Sequence, residues 1–269
     1  MRLDLYLAKA GLAKSREAAK IQIEAGQVSV GGTVIRKPAF TINEAKPPEI
    51  TVENTLAYVG RGGLKLEGAL EDFSIDPSGM TALDVGASTG GFTDCLLQKG
   101  AAKVFALDAG HDQLALSLKN DPRVISLEGQ NARDLSPALF GGTAMDLIVM
   151  DVSFISATYL IPLFPALLKQ GGIAVTLVNP QFEAGKSALG KRGIVKDPAD
   201  HLAALKKVVS CGEDCGLSVI GATASPILGG DGNREFFACF RKETTKRNLL
   251  TDDLLRRVAY EHERRRFPS

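Results

Sequence analysis

The fold of this chain is decided by the stretch Ala82-Leu83-Asp84-Val85-Gly86-Ala87-Ser88-Thr89-Gly90-Gly91-Phe92, in which an apolar strand gives way to a glycine-rich turn and then to a helical pattern. Asp84 closes the strand, Gly86 permits a tight turn, and Gly90 and Gly91 let a helix start close to a ligand. The free N–H groups of that helix start then point at the ligand. The stretch therefore predicts a nucleotide-type binding pocket, and a purely structural strand-to-helix turn is the alternative.

The spacing D-x-G-x-x-x-G-G separates this turn from two other ligand-binding loops. It matches neither the dinucleotide fingerprint G-x-G-x-x-G nor the phosphate loop G-x-x-x-x-G-K-[ST]. The later Gly185-Lys186-Ser187 also fails as a phosphate loop, because Pro180 stands five residues before Gly185. The spacing resembles instead the first motif of S-adenosylmethionine-dependent methyltransferases, and this resemblance implies that cofactor.

Length and composition bound the remaining possibilities. A chain of 269 residues predicts a main domain with a smaller second one. No apolar run approaches the ~20 residues of a membrane helix, and the charged start Met1–Tyr6 lacks a signal-peptide core, so we expect a soluble, cytoplasmic protein without membrane contact. The four cysteines form no C-x-x-C pair, which predicts reduced thiols and no metal. A net charge of +1 means that any surface for nucleic acid must be local.

Residues 1–57 predict a small αα-ββ domain. One short helix closes at Gly11, a second runs from an N-cap at Ser15 to Gly26, and a hairpin turns at Gly31-Gly32. Basic side chains crowd around this unit, which suits phosphate contacts, although a solvated charged face is the alternative. The predicted RNA contacts are Arg2, Lys9, Lys14, Arg16, Lys20, Arg36 and Lys37, with Arg61 in the stretch that follows.

Several short motifs of this unit are shared with a known RNA-binding domain. They are Arg2-Leu3-Asp4, Gly11-Leu12-Ala13, Ser15-Arg16 and Ile23-x-x-Gly26-x-Val28-x-Val30. Together they resemble the S4 domain, first seen in a ribosomal protein, and the resemblance implies RNA binding.

Residues 58–269 predict a second, α/β domain of the Rossmann-like class. Apolar strands alternate with helical patterns from residue 80 onward, which indicates a parallel sheet covered by helices. Helices are expected over Glu67–Phe73 and Leu249–Phe267. The predicted strands are Thr81 to Val85, Lys103 to Asp108, Val124 to Leu127, Met145 to Asp151, Gly172 to Val178, Ser218 to Ser225 and Glu235 to Phe240.

Polar residues at the ends of these strands predict where ligands bind. In open α/β sheets the ligand lies outside the carboxyl ends of the strands, so Asp84, Asp108, Asp151 and Asn179 should face one crevice. Asp108 is placed to accept both ribose hydroxyl hydrogens of a nucleoside cofactor, and Asn131 to reach its adenine edge, with turn formation as the alternative for Asn131. The predicted cofactor contacts are Asp84, Gly86, Ser88, Gly90, Gly91, Phe92, Asp108 and Asn131.

Three charged residues, distant in sequence, are expected to converge near that crevice. Asp151 ends a strand, Glu235 begins one, and Lys65 lies on the helix that enters the domain. A lysine beside carboxylates can orient a weakly acidic hydroxyl, or help to deprotonate it, while a sulfonium methyl group waits in line. This chemistry predicts ribose 2′-O-methylation. An ordinary surface or ion-pair role is the alternative for each residue taken singly.

The whole chain resembles the haemolysin-A-like family of bacterial ribosomal RNA methyltransferases, known as TlyA, whose catalytic half is similar to FtsJ-type enzymes. The segments that carry the resemblance are 60–66, 84–94, 151–156, 180–185 and 232–236. The resemblance implies 2′-O-methylation of cytidines in small- and large-subunit ribosomal RNA, with ribosomal RNA or ribosomal subunits as partners. It also implies a Lys-Asp-Lys-Glu tetrad, of which Lys65, Asp151 and Glu235 supply the first, second and fourth members.

The third tetrad position departs from the family pattern, because Asn179 stands where a lysine is expected. Asparagine is neutral and can neither act as a base nor supply a cationic field. The chain is therefore either an enzyme with a lower rate than one that has the lysine, or a ribosome-associated protein that binds RNA and cofactor without efficient methyl transfer. A compensating cation from the following loop 182–197, itself a possible lid, is a further alternative. The candidates are Lys186, Lys191, Arg192 and Lys196.

Two other activities are alternatives. Asn179-Pro180-Gln181-Phe182 is similar to the loop of exocyclic-amine methyltransferases, but that loop ends the fourth strand, whereas Asn179 follows the fifth. The family name suggests a membrane-lytic activity, but the sequence has no apolar span or secretory signal that would support it.

Overall fold

The structure is a computed structural model, in which the chain divides into two compact units, Met1–Arg61 and Gly62–Ser269. The boundary expected from sequence, after residue 57, stays a prediction. The described residues are 1–13, 15–24, 26–44, 47–52, 57–190, 193–230, 232–245 and 250–260.

The first unit contains two helices and a three-stranded antiparallel sheet in the order β2-β1-β3. Its elements are α1 (Leu3–Lys9), α2 (Arg16–Glu24), β1 (Val28–Val30), β2 (Thr33–Val34) and β3 (Ile50–Val52). The predicted hairpin is confirmed, since Val30 pairs with Thr33 across Gly31 and Gly32, both at positive φ. The Ser15 cap is confirmed as well, because its Oγ accepts a hydrogen bond from the N–H of Ala18. β3 lies within the segment 41–57, for which the sequence predicts a finishing strand and a linker without dividing the two.

The second unit is built on a seven-stranded sheet in the order β6-β5-β4-β7-β8-β10-β9. The neighbours from β6 to β8 are parallel, whereas β10 is antiparallel to both β8 and β9. The strands are β4 (Thr81–Val85), β5 (Lys103–Asp108), β6 (Val124–Glu128), β7 (Met145–Met150), β8 (Leu168–Val178), β9 (Ser218–Ala224) and β10 (Phe236–Arg241). The helices are α3 (Gly62–Asp72), α4 (Gly91–Gln98), α5 (Leu116–Lys119), α6 (Phe164–Leu167), α7 (Pro180–Glu183), α8 (Pro198–Asp214) and α9 (Asp252–Tyr260).

This architecture confirms the predicted α/β, Rossmann-like class. All seven predicted strands are present, and most of their ends agree within one residue. β8 is the exception, because it begins at Leu168 rather than at Gly172. The strands β4, β7 and β10 are almost wholly buried, as a sheet covered by helices requires, whereas the edge strand β6 is partly exposed.

One helix prediction was wrong at its start, and another extends beyond the described residues. α3 begins at Gly62, well before the expected start at Glu67, because packing outweighs the low helix propensity of glycine there. A Cβ atom at Gly62 would lie 3.3 Å from the ring of Phe92, so the small residue lets the two helices approach. The last helix is described over Asp252–Tyr260, whereas the predicted ends at Leu249 and Phe267 lie outside the described residues. Within the described part of the chain, no helix is long and apolar enough to cross a membrane.

Candidate active site

The candidate site lies at the edge of the sheet where the parallel strands end. Asp84 is the penultimate residue of β4, and Asp108 is the last residue of β5. Asp151 directly follows β7, and Asn179 directly follows β8. Glu235 reaches the same edge because β10 runs antiparallel, so that its first residue pairs with the last residue of β8. One edge of the sheet therefore carries all five polar residues.

The glycine-rich turn after β4 has a geometry that requires glycine. Gly86 and Gly90 have φ values of 86° and 95°. A Cβ atom at Gly86 would collide with the carbonyl oxygen of Asp151, and one at Gly90 with the side chains of Leu114 and Leu118. Gly90 is the N-cap of α4. The turn therefore brings a helix start, with its free N–H groups, to the edge of the sheet.

Asp84 is fully buried behind this turn. Its Oδ2 accepts a hydrogen bond of 2.7 Å from the hydroxyl of Thr93, whereas its Oδ1 has no hydrogen-bond partner in the described structure. Burial raises the pKa of Asp84 to about 7, and the carboxylates of Asp151 and Asp108 also raise it, whereas the Thr93 hydroxyl lowers it. An unsatisfied buried carboxyl oxygen is costly in isolation, and a bound ligand would satisfy it.

The carboxylate of Asp108 is held by backbone amides. Ser88 donates an N–H to its Oδ2 at 2.8 Å, and Gly110 donates to its Oδ1 at 2.7 Å. These bonds fix the carboxylate while leaving each oxygen a further lone pair for a ligand. Asn131 is exposed, and its Oδ1 accepts from the N–H of Arg133, so it caps a short helical turn.

Two predicted cofactor contacts are buried among other residues. Gly91 is buried in the first turn of α4. Phe92 is only 3% exposed, and its ring centroid lies 6.2 Å from that of Phe237. The visible role of Phe92 is thus packing between α4 and the sheet, and its contact with a cofactor stays a prediction.

Lys65 joins the two carboxylates that were expected beside it. Its Nζ lies 2.6 Å from Oε2 of Glu235 and 3.5 Å from Oδ2 of Asp151. The side chain of Glu235 is 4% exposed, and that of Asp151 is 27% exposed. Glu235 therefore holds the lysine from the buried side, while Asp151 remains accessible to a substrate.

Asn179 completes this group through Glu235. Its Nδ2 donates a hydrogen bond of 3.3 Å to Oε1 of Glu235, and its Oδ1 accepts from the N–H of Gln181 at 3.0 Å. The side chain thus caps α7 and orients the glutamate. Of the proposed compensating cations, Lys196 is exposed, Lys191 and Arg192 lie outside the described residues, and the side chain of Lys186 is not described.

Sequence reasoning missed the role of the segment that follows β7. Phe154 is 94% exposed at a φ of 66°, and its ring centroid lies 5.7 Å from that of Phe182. An exposed aromatic ring beside Asp151 is suited to stack on a base. The available signal was a phenylalanine three residues after a strand-ending aspartate. The sequence did not predict that this side chain is exposed.

The basic residues of the first unit fall into two groups. Arg2 and Arg16 both bind Asp4, which is fully buried, through hydrogen bonds of 3.0 and 3.1 Å, and both guanidinium groups remain about half exposed. Lys37 is exposed. In the second group, Lys9 pairs with Glu44, Lys20 pairs with Glu17, and Arg36 donates to the carbonyl of Glu24. Arg61 is the last residue of this unit, and Lys14 lies outside the described residues.

Residues 58–242 match the model of one protein family, described as FtsJ-like methyltransferase. This chain belongs to the FtsJ-like methyltransferase family. Residues 1–45 also match the S4 domain.

Named relatives of this FtsJ-like protein cover nearly its full length. It is 42% identical to the 16S/23S rRNA (cytidine-2′-O)-methyltransferase TlyA of Mycobacterium tuberculosis, over 91% of each chain. It is 43% identical to hemolysin A of Brachyspira hyodysenteriae, over 89% of this chain and 99% of that one. Among solved structures, a Streptococcus thermophilus protein provisionally described as a hemolysin is 40% identical, with a TM-score of 0.78 over 97% of this chain and 94% of that one.

S-adenosylmethionine is the cofactor of this FtsJ-like methyltransferase. The residues present fit it, because the turn through Gly86 and Gly90 brings the start of α4 to the edge where the strands end, and the buried Oδ1 of Asp84 lacks a partner in the described structure. No group of three or more His, Cys, Asp or Glu side chains suited to a metal ion occurs among the described residues.

Proposed function

We propose that this protein transfers a methyl group from S-adenosylmethionine to the ribose 2′-hydroxyl of cytidines in ribosomal RNA. The observation that carries the proposal is the Lys65–Glu235 ion pair, which lies with Asp151 at the edge of the sheet that also holds the glycine-rich turn. The name of the TlyA relative supports both the 2′-O position and the cytidine substrate.

The cofactor is held by the strand-end residues in this proposal. Asp108 would accept hydrogen bonds from the ribose hydroxyls, Asn131 would contact the adenine, and the turn around Ser88 would hold the methionine part. The backbone contacts that already fix Asp108 support this role. The bound cofactor supplies an electrophilic methyl group on a sulfonium. The full proposed set is Asp84, Gly86, Ser88, Gly90, Gly91, Phe92, Asp108 and Asn131.

The residues of the charged cluster act on the hydroxyl group. Asp151, the more exposed carboxylate, would accept a hydrogen bond from the 2′-hydroxyl and take up its proton as the oxygen bonds to the methyl carbon, while the carbon–sulfur bond of the sulfonium breaks and leaves a neutral thioether. The ammonium group of Lys65 stabilises the negative charge that develops on the oxygen. Glu235 keeps Lys65 in place from the buried side, at 2.6 Å.

Asn179 changes the charge of this cluster. With a neutral residue at the third position, Lys65 faces two carboxylates, and the field at the developing alkoxide is less positive than a second lysine would make it. We therefore propose an enzyme that is slower than a lysine-containing relative. Its catalytic set is Lys65, Asp151, Asn179 and Glu235.

RNA binding is assigned to the S4 unit, where Arg2 and Arg16 offer half-exposed guanidinium groups. Guanidinium groups suit phosphate because they donate in a fixed fork. We propose ribosomal RNA or a ribosomal subunit as the partner, reached in the cytoplasm. Contacts by Lys9, Lys14, Lys20, Arg36, Lys37 and Arg61 belong to the same proposal.

The experiment is transfer of labelled methyl groups to unmethylated ribosomal subunits. Three chains are compared: the natural one, Asn179→Lys and Asn179→Leu. The product is mapped by its resistance to alkaline cleavage, which a 2′-O-methyl group confers because it blocks the attacking hydroxyl.

We expect transfer by the natural chain, faster transfer by Asn179→Lys and slower transfer by Asn179→Leu, which cannot orient Glu235. Transfer by Asn179→Lys alone would contradict the enzymatic proposal and make this protein a ribosome-associated RNA-binding protein. A methyl group found on a base amine would contradict the 2′-O assignment.

A further inference from the structure

Glu183, the last residue of α7, is a buried charged residue outside the catalytic cluster. Its Oε1 accepts a hydrogen bond of 2.6 Å from the N–H of Ala157, and its Oε2 accepts one of 2.6 Å from the hydroxyl of Ser156. Lys207 of α8 pairs with Oε2 at 3.0 Å and also donates to the carbonyl oxygen of Glu183 at 3.2 Å. The side chain is 3% exposed. Both oxygens are occupied, so Glu183 is unsuited to proton transfer.

These bonds tie together the two segments that carry the candidate site. α7 begins directly after Asn179, whereas Ser156 and Ala157 end the segment that begins at Asp151. At its other end this segment is fixed by the N–H of Asp151, which donates to the carbonyl oxygen of Val85 at 3.0 Å. The segment 151–157 is therefore held at both ends, once by the sheet and once by Glu183.

Phe154 lies between these two fixed ends in a strained conformation. A φ of 66° is rare for a residue with a bulky side chain and persists only where the surroundings enforce it. Its exposed ring contacts Phe182, the residue next to Glu183 in α7. α7 thus contacts the segment 151–157 at two points, through the ring of Phe182 and through the carboxylate of Glu183.

We propose that Glu183 is a positioning residue that holds Phe154 and Asp151 against α7, so that a nucleotide stacked on Phe154 presents its 2′-hydroxyl to Asp151 and Lys65. The proposal rests on the proposed function. Bonds to a carboxylate are stronger than neutral ones, which suits a contact that must hold a strained segment. Small misplacements of reacting atoms cost large factors in rate, so loosening this contact lowers turnover.

The test compares Glu183→Gln with Asp146→Asn in the full chain. Asp146 is a matched control, because it also binds one backbone N–H, that of Thr81, and one lysine, Lys169, but at the opposite end of β7. We expect Glu183→Gln to lower kcat on the order of 10²-fold, with the Kd for S-adenosylmethionine unchanged. Asp146→Asn leaves kcat within about twofold. Ser156→Ala, which removes one of the bonds, gives a smaller loss in the same direction.

A second readout does not depend on activity. The chain contains no tryptophan, so Phe154→Trp introduces a single fluorescent reporter on the segment. We expect Glu183→Gln to lower the fluorescence anisotropy of this variant, and Asp146→Asn to leave it unchanged. Unchanged anisotropy, or equal kcat losses in Glu183→Gln and Asp146→Asn, would overturn the proposal. Lower anisotropy in a chain whose natural form transfers no methyl group would support the positioning role and refute only the proposed function.

Discussion

At the scale of single residues, two carboxyl groups at the edge of the sheet have opposite properties. Asp84 is fully buried and has one oxygen without a partner, whereas Asp151 is accessible and lies 3.5 Å from Lys65. The sequence predicted both positions, since each follows from the end of an apolar strand. It could not predict their burial, because burial depends on which helices cover each strand end.

Asp84 predicts a pH dependence of stability. Its pKa is about 7 in the folded chain, against 3.8 for an unperturbed aspartate, so between these values the unfolded chain has lost a proton that the folded chain keeps. Stability therefore falls as the pH rises from about 4 to about 7. Relative to Asp84→Asn, the natural chain loses up to about 4 kcal/mol of unfolding free energy across this range. Urea unfolding of both chains at several pH values measures it, and parallel curves would contradict the prediction.

Asp151→Asn tests the proposed proton acceptor. The amide keeps the size of the side chain but cannot take up a proton, so we expect kcat to fall by ~10²- to 10⁴-fold. The change in unfolding free energy should stay below ~1 kcal/mol, because the carboxylate is partly solvated and its contact with Lys65 is long. Methyl transfer and thermal unfolding measure the two effects. The control is Asp112→Asn, an exposed carboxylate paired with Lys119, which should leave kcat unchanged.

At the scale of elements, local patterns predicted the strands better than the helices. Apolar runs located every strand of the main sheet, because strands that are buried at most positions, such as β4 and β7, leave a nearly continuous apolar signal. α3 began earlier than predicted, because the contact of Gly62 with Phe92 is a tertiary effect that propensity cannot show. The short α7 was not predicted either, since its only signal is the Asn179-Pro180 cap.

The turn between β4 and α4 yields a prediction about one glycine. Gly86→Ala places a methyl group against the carbonyl of Asp151, so we expect loss of S-adenosylmethionine binding as the turn and the Asp151 segment move apart. The matched control is Gly141→Ala, because Gly141 also has a positive φ but nothing within 4 Å of its Cβ position. The control should cost only ~1 kcal/mol of unfolding free energy and keep cofactor binding. Calorimetric titration measures binding, and equal behaviour of both variants would refute the steric argument.

At the scale of the whole molecule, the proposed function gives the two units separate tasks. The S4 unit has its own core, formed by Leu3, Leu7, Ala19, Ile23 and Val28, and the FtsJ-like unit has the charged cluster. Separate cores mean that a surface change in one unit need not disturb the chemistry of the other.

Arg16→Gln tests this division. The variant removes one proposed phosphate contact, so we expect weaker binding to ribosomal RNA and a salt dependence reduced by about one unit of slope. At saturating RNA, kcat should stay unchanged. Lys99→Gln is the control, because Lys99 is an ion-paired lysine of the FtsJ-like unit that binds Glu67. Binding curves at several salt concentrations measure the slope, and an identical slope in the two variants would contradict the assignment of RNA contacts.

The sequence by itself determined the two-part organisation, the α/β class, the glycine-rich turn and the set of polar residues at strand ends, because these features follow from local periodicity and from the rule that parallel strands end at one edge. Tertiary structure decided the rest. The sequence predicted that Lys65 and Glu235 converge, but only the structure shows the antiparallel β10 that brings Glu235 to this edge. The structure also buries Phe92 and exposes Phe154, although both aromatic residues follow strand ends. Contacts between distant segments set burial and charge pairing, and no local pattern encodes which segments will meet.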